Sequence, residues 1–466
     1  MKPTPAWRVY TLGAVLLVSL TFCSRNFADR GGPRFMGSLA VAGVSYLLAV
    51  REFFRGRVAR ATPQFPRHVV IFGLILAAAW QVEFLRLPPG PDDDVHRYVW
   101  DGRLQRLGYN PYLVIPSDPA VKGLHTPETS SLNNPDLASP YPPGAQLFFR
   151  AISAIYESTF AFKVAFVICD LLIVLVLLDI LRRNQQAAHL VLAFAWNPLL
   201  AMEVAGSGHI DIVGACLLVM SAAALARRWR ATAAIALGLA VAVKFLPIVL
   251  LPLYWKRVRI RDAVAAAAVV LLLYMPFFNH GRISTGSLGT YVQTFRFNGP
   301  VFAMLAQVAP ARLLAGLAVL AGLGTATWLR VLGNQQIFTT EGTESHRGDP
   351  TLSLPCSPVS GPSPEGSRSV VQGFAFAWPM AASLLFAPAV FPWYLLWLLP
   401  FLTSASTLLI AVWSVSIIPV YVQWHLRTLG RPWGALPGWV MIVEYGWLAA
   451  AAIISLRKRP VSPHQA

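Results

Sequence analysis

Of 466 residues, 56% are hydrophobic and only 13% charged, a balance that excludes an ordinary soluble globular protein. The formal net charge of +17 raises nucleic acid as a partner, but much of that charge lies in short loops beside apolar runs, where it sets membrane orientation instead. The composition predicts an all-α, polytopic transmembrane helix bundle with no nucleic-acid partner.

A bilayer core about 30 Å thick takes roughly 20 apolar residues per helix. In chain order, apolar windows run over Trp7–Cys23, Phe35–Val50, His68–Leu87, Phe160–Leu181, Ala187–Ala205, Ile210–Ala226, Ala263–Phe278, Arg312–Leu329, Val370–Ala387, Phe391–Leu402, Thr407–Trp424 and Trp439–Leu456, about 12 crossings by this measure. Ala231–Trp255 is also long enough to cross, yet basic clusters flank both its ends. It reads as a broken pair of half-helices around Lys244-Phe245-Leu246-Pro247 that returns to its starting side, a backbone allowed only where protein or a cavity surrounds it.

Arginines crowd the loops at Arg51–Arg67, Arg182–Arg183, Arg227–Arg230 and Lys256–Arg261, and Arg457, Lys458 and Arg459 lie near the C-terminus. The positive-inside rule makes these loops cytoplasmic and both termini inside; Arg25, Arg30 and Arg34 run against it. The chain is expected to be a multi-pass protein of the inner (plasma) membrane. The first helix has no processing site of a cleavable signal and stays as an anchor. Cysteines 23, 169, 216 and 356 show neither a disulfide framework nor zinc spacing.

Two polar inserts interrupt what reads as one membrane domain over 1–466. Leu87–Ser158 carries eight of the 21 acidic residues mixed with Tyr, Trp, Phe and Pro, and is expected to be a folded outer loop with short interfacial helices, one over Val95–Leu107 before the Gly108-Tyr109-Asn110-Pro111 turn. Gly333–Ser369 is rich in Ser, Thr, Pro, Gly and Glu, the composition of a disordered cytoplasmic loop. No repeat is evident, and no similarly broken segment recurs in both halves, as an inverted-repeat transporter would tend to show.

The outer loop opens with Asp92-Asp93-Asp94. Three adjacent carboxylates at a helix mouth repel one another, so each is expected to shift the others' pKa upward, with Arg97 holding one of them ionised. They suit a base, an ion site or a lipid-phosphate site, or simply the cap of a short helix. Lys244, amid apolar neighbours, is expensive in hydrocarbon and suggests function unless it snorkels to the interface. Glu203, His209 and Asp211 flank a Gly-Ser-Gly turn and, with Asp93 or Asp94, offer donors suited to a divalent ion; a tight helix-to-helix turn explains them equally. Phe391-Pro392-Trp393-Tyr394 and Trp397 suit interfacial anchoring or the wall of a sugar or isoprenoid site. Asp170 and Glu444 lie inside apolar windows.

Asp93-Asp94 through Arg97-Tyr98, Trp100-Asp101-Gly102-Arg103 and Asn110-Pro111-Tyr112 resemble the first outer loop of the polytopic GT-C class of glycosyltransferases, especially its bacterial branch similar to polyprenol-phosphomannose-dependent mannosyltransferases. The likeness continues through Asn133-Asn134-Pro135, Tyr141-Pro142-Pro143-Gly144, Asn197-Pro198-Leu199, Gly208-His209-Ile210-Asp211, Lys244-Phe245-Leu246-Pro247 and Pro392-Trp393-Tyr394. It implies transfer of a sugar, mannose by the branch, from a polyprenyl-phosphate donor to a glycan or lipid acceptor at the extracytoplasmic face. Asp94 aligns best with the catalytic aspartate and Asp93 second. Arg97, Tyr98, Asp101, Arg103, Asn110, Tyr141, Glu203, His209, Asp211, Lys244, Arg296, Trp393 and Tyr394 are the expected substrate-binding residues; Arg282 and His280 are further cations for the phosphate. The resemblance fixes no cofactor, and a divalent metal is compatible. A transporter or flippase of a lipid-linked or anionic solute is the competing reading, and a whole-glycan ligase a third.

Overall fold

The computed structural model describes residues 6–55, 65–90, 92–279, 281–341, 376–403, 405–434 and 436–457. The helices are α1 (Ala6–Arg25), α2 (Pro33–Phe54), α3 (Arg67–Leu85), α4 (Asp94–Arg106), α5 (Pro143–Ile155), α6 (Thr159–Arg183), α7 (Asp211–Ala226), α8 (Arg230–Val243), α9 (Ile260–Tyr274) and α10 (Ala311–Glu341), most of them Leu-, Ala- and Val-rich, whereas α4 is short and polar. Three more follow, α11 (Phe376–Leu385), α12 (Leu408–Thr428, tightened by 3-10 turns at Ile418–Tyr421) and α13 (Gly438–Arg457). The chain is an all-α membrane protein. Strand is limited, among the described residues, to the two-residue pairing of Phe278–Asn279 with Arg282–Ile283.

Among the described residues, eight helices are long and apolar enough to cross a membrane, or nine if the bent pair Ala188–Ala195 and Leu200–Gly206, angled at 65°, forms one span. The sequence count of about 12 exceeds this for a physical reason. Asp211–Ala226 and Phe376–Leu385 are short helices, and Phe391–Leu402 is no long helix, because Pro392 and Pro400 hold it in 3-10 turns at Pro392–Trp397 and Leu399–Phe401.

The helices share a polarity. At one end lie the basic loops: Arg8 meets Glu52 at 3.5 Å, His189 meets the Phe53 carbonyl at 3.1 Å, and Asp179 binds Arg183 and Arg227. The acidic loop after α3 folds over the other end.

Two segments enter from the basic end and turn back. After α8 the backbone extends at Lys244 (φ −158°, ψ 139°) and returns through 3-10 turns at Leu246–Leu250. Ser221 Oγ meets both the Ala233 carbonyl and the Tyr254 hydroxyl at 2.6 Å, so residue 254 is back at the level of residue 233. The break expected at Lys244 is therefore present. A second hairpin was not foreseen: α11 ends at Leu385, the chain runs on through Pro388, and the 3-10 turns after Phe391 bring Phe401 back to stack on Phe376 at 5.4 Å. Its presence removes the sequence argument that no similarly broken segment recurs.

In the outer loop, α4 starts at Asp94, one residue before the expected Val95, and Gly108 (φ 86°) closes the turn after it. Its buried side packs on α5, where Tyr98 stacks on Phe149 at 4.5 Å. Gly102 permits that approach, since a Cβ there would strike the Phe149 carbonyl and Ser153 Oγ. Helix α10 continues to Glu341, past the expected loop start at Gly333; 342–375, with most of the expected disordered insert and Cys356, lie outside the described residues.

Candidate active site

The tips of both hairpins, the start of α4 and the end of α12 enclose a cavity of about 410 Å³, inside the ~300–1,000 Å³ range of small-molecule sites. Asp92, Asp93, Asp94, Arg97, Tyr141, His209, Lys244, Tyr291, Trp393, Tyr394 and Arg427 all contribute to its lining.

The acid triplet is divided. Asp92 is clamped by Arg427 at 2.8 and 3.1 Å. Asp93, at the N-cap of α4, is buried; it pairs with Arg30 at 2.8 Å and accepts the Gly90 amide at 2.7 Å. Asp94 faces the cavity half-buried, and the amide of Asn133 donates to it at 2.5 Å. The expected mutual repulsion is thus relieved by one arginine apiece on Asp92 and Asp93. Arg30 resists deprotonation further: burial works against its charge, but the Asp93 carboxylate, with Glu203 and Tyr421, raises its pKa overall. Its place on the acidic side, a contradiction by charge counting, follows from this pairing.

Arg97 was expected to touch Asp93 or Asp94 but serves the loop. Its Nη2 donates to the carbonyls of Asn133, Asn134 and Leu137 at 3.2, 2.7 and 2.9 Å, fixing the segment whose Asn133 holds Asp94. One turn on, Asp101 is fully buried behind the cavity; Ser139 donates to it, and Gln146 donates at 2.9 Å. Burial pushes the Asp101 carboxyl up to about 6, and nearby Arg97 with the Ser139 and Gln146 hydrogen bonds only partly counters this. Tyr98 also lies behind the lining, its hydroxyl accepting the Ile210 amide at 3.4 Å.

On the facing wall, Lys244 Nζ donates to Asp211 Oδ1 at 2.7 Å and sits 3.8 Å above the Tyr394 ring. Buried Asp211 also accepts from Trp397 Nε1 at 2.7 Å, and Tyr394 and Tyr291 share a hydroxyl contact at 2.9 Å. Lys244 therefore neither snorkels nor stands alone. Gly208 takes φ 76°, which a glycine accommodates best, to swing His209 into place. The His209 ring stacks on Trp393 at 3.9 Å, and Nδ1 lies 2.8 Å from Glu203 Oε2. Burial disfavours its charge, but Glu203, Asp94 and Asp93 raise its pKa overall. Glu203, in a π-helical turn (Leu200–Gly206), also accepts from Tyr421.

Seven expected substrate residues do not line this cavity: Tyr98, Asp101, Glu203 and Asp211 pack behind it, and three others turn elsewhere. Arg103 donates to the Leu124 carbonyl at 2.8 Å and Glu157 at 2.6 Å. Asn110 bonds the Phe277 carbonyl and the Tyr112 amide, bracing the turn. Arg296 covers the carbonyls of Val292, Gln293 and Phe295 and stacks on Phe302. Their residue types promised chemistry, but the sequence does not show which way a side chain points. Arg282 also lies away from the lining, and His280 falls outside the described residues. Arg30, Arg427, Asn133, Tyr291, Trp424 and Trp433 were not proposed; Asn133 alone carried a signal, in its Asn-Asn-Pro motif. No group of three or more His, Cys, Asp or Glu suited to a metal occurs among the described residues. Glu203 instead engages His209 and Tyr421, and Asp211 engages Lys244 and Trp397.

The cavity thus presents one acid left free of arginine, opposite a lysine and a stacked aromatic wall. Residues 14–258, more than half of the chain, match the model of the MptA_B family, alpha-(1->6)-mannopyranosyltransferase, N-terminal domain, and the chain belongs to that family. It is a mannosyltransferase. The matched region includes Asp92–Asp94, Arg97, Asn133, His209, Asp211 and Lys244, while the second hairpin lies beyond it. No curated protein and no solved structure matches.

Proposed function

We propose that the protein transfers mannose, with inversion, from a polyprenyl-phosphate donor to a glycan or lipid acceptor, forming the α-(1→6) linkage of its family, with Asp94 as general base. The acceptor hydroxyl attacks the anomeric carbon, its proton passes to Asp94, and the glycosidic bond electrons leave with the phosphate. The observation that carries this reading is the division of the triplet: Asp92 and Asp93 are each neutralised by an arginine, whereas Asp94 meets the cavity through an amide alone. A carboxylate so placed is accessible and oriented, as general-base work requires. Lys244 gives one ammonium hydrogen to Asp211 and keeps two to donate to the leaving phosphate from the opposite wall. The gathering of the basic loops at the far end supports an extracytoplasmic site. The chain lies in the inner (plasma) membrane.

The test is transfer of radiolabelled mannose from polyprenyl-phosphate-mannose to a mannoside acceptor by the purified protein in liposomes. The wild type should transfer label and Asp94→Asn should lose about 10²–10⁴-fold of the rate with unchanged thermal stability. Near-normal turnover by Asp94→Asn would remove the base assignment; solute flux with no transfer would favour a transporter.

A further inference from the structure

At the end of the bundle opposite the cavity, the turn before α8 and the turn before α9 form a cleft of about 390 Å³ lined by Arg228, Arg230, Ala231, Arg259, Arg261 and Asp262. Four guanidinium groups thus face one space with a single carboxylate. Asp262 is buried and already engaged, since its Oδ2 accepts the Arg259 amide at 3.1 Å and its Oδ1 lies 3.8 Å from Arg261. Helices α8 and α9 run side by side in the same direction from this cleft, Gly238 resting against Val270 and Ala266. Their positive dipole ends therefore add to the arginines. The four arginines are exposed and face only one, already engaged, carboxylate; an anion satisfies that excess of positive charge, and guanidinium forks match phosphate oxygens.

The surroundings identify the source of that phosphate. Trp229 is 59% exposed, Trp255 70% and Ile260 83%, and Arg227 lies over the Trp229 ring at 5.3 Å. Exposed tryptophans beside arginines mark headgroup depth in a membrane protein. We propose that this cleft binds the phosphate headgroup of an anionic phospholipid, with Trp229, Trp255 and Ile260 packed against its glycerol and upper acyl region.

The experiment is native mass spectrometry of the delipidated full chain with phosphatidylglycerol, phosphatidylcholine or inorganic phosphate. Wild type should retain phosphatidylglycerol at least about tenfold over phosphatidylcholine, a ratio near 1.4 kcal/mol. The variant Arg228→Gln/Arg230→Gln/Arg259→Gln/Arg261→Gln should lose that preference while keeping its elution volume and mannosyl transfer, since the cleft is remote from the cavity. Equal phosphatidylglycerol retention by the variant overturns the site. Displacement of the lipid by equimolar inorganic phosphate overturns the lipid assignment. If the quadruple variant fails to fold, the pairs Arg228→Gln/Arg230→Gln and Arg259→Gln/Arg261→Gln are measured separately, each expected to lose part of the preference. Because transfer and lipid retention are read independently, failure of the catalytic reading leaves this one testable.

Discussion

Arg30 and Asp93 meet at 2.8 Å with 6% and 3% of their side chains exposed, joining the α1–α2 turn to the cap of the helix that begins with Asp94. Arg30 also donates to Ser207 at 2.6 Å, just before the His209 turn. One buried pair thus ties three parts of the site together. Removing one partner strands a buried charge, which costs about 3–5 kcal/mol. Asp93→Asn should therefore lower thermal stability sharply, whereas Asp94→Asn should leave it unchanged and lose transfer. Melting curves and turnover measured on both variants check this; equal melting temperatures would refute the division of labour between the two acids.

Asn133 is the group that orients Asp94, and Arg97 holds Asn133 through three carbonyls. A misplacement of about 1 Å can cost roughly 10²-fold in rate. Asn133→Ala should lower kcat by one to two orders of magnitude with little change in donor KM. Arg97→Lys should do the same, since an ammonium lacks the planar fork that spans the loop carbonyls. A pure KM effect in either variant would place these residues in substrate binding instead.

Local sequence made much of this architecture legible. Periodic apolar runs marked the helices, Lys244 beside Pro247 marked the first hairpin, and the acid triplet, Gly208-His209 and Pro392-Trp393-Tyr394 marked the cavity. What escaped depends on distant partners. Arg30 and Asp93 are 63 residues apart, Arg427 and Asp92 335 apart, and nothing local to an arginine names its carboxylate. The second hairpin escaped because Phe391–Leu402 is as apolar as a true span, and only the 3-10 winding imposed by its prolines separates them. Arg103, Asn110 and Arg296 have suitable chemistry, but each turns onto backbone carbonyls or Glu157.

The Lys244–Asp211 pair predicts a separation of stability from activity. Lys244→Met leaves buried Asp211 with only Trp397, so both thermal stability and transfer should fall. The double variant Lys244→Met/Asp211→Asn removes the uncompensated charge and should recover the melting temperature without recovering transfer. Lys244→Arg should not rescue transfer, because the 3.8 Å approach to the Tyr394 ring and the 2.7 Å bond to Asp211 fit a compact ammonium. Recovery of transfer in the double variant would remove Lys244 from the phosphate site.

Asp101 gives the protein a pH signature. Its buried carboxyl titrates near 6, against about 3.9 in an unfolded chain. Between those values the folded state holds a proton that the unfolded chain has already lost, so stability falls as pH rises through this window and levels off above it. The difference in unfolding free energy between wild type and Asp101→Asn should therefore drift by a few kcal/mol from pH 4 to 6 and stay flat beyond. His209 acts higher: its pKa is raised in the folded state, so its stabilisation is complete below about 6.5 and is lost as pH climbs through the folded value. Thermal unfolding of wild type, Asp101→Asn and His209→Gln from pH 4 to 8 separates the two windows. A wild-type-minus-Asp101→Asn difference that is constant from pH 4 to 6 would show that Asp101 is charged throughout, held by Arg97 more strongly than burial opposes it.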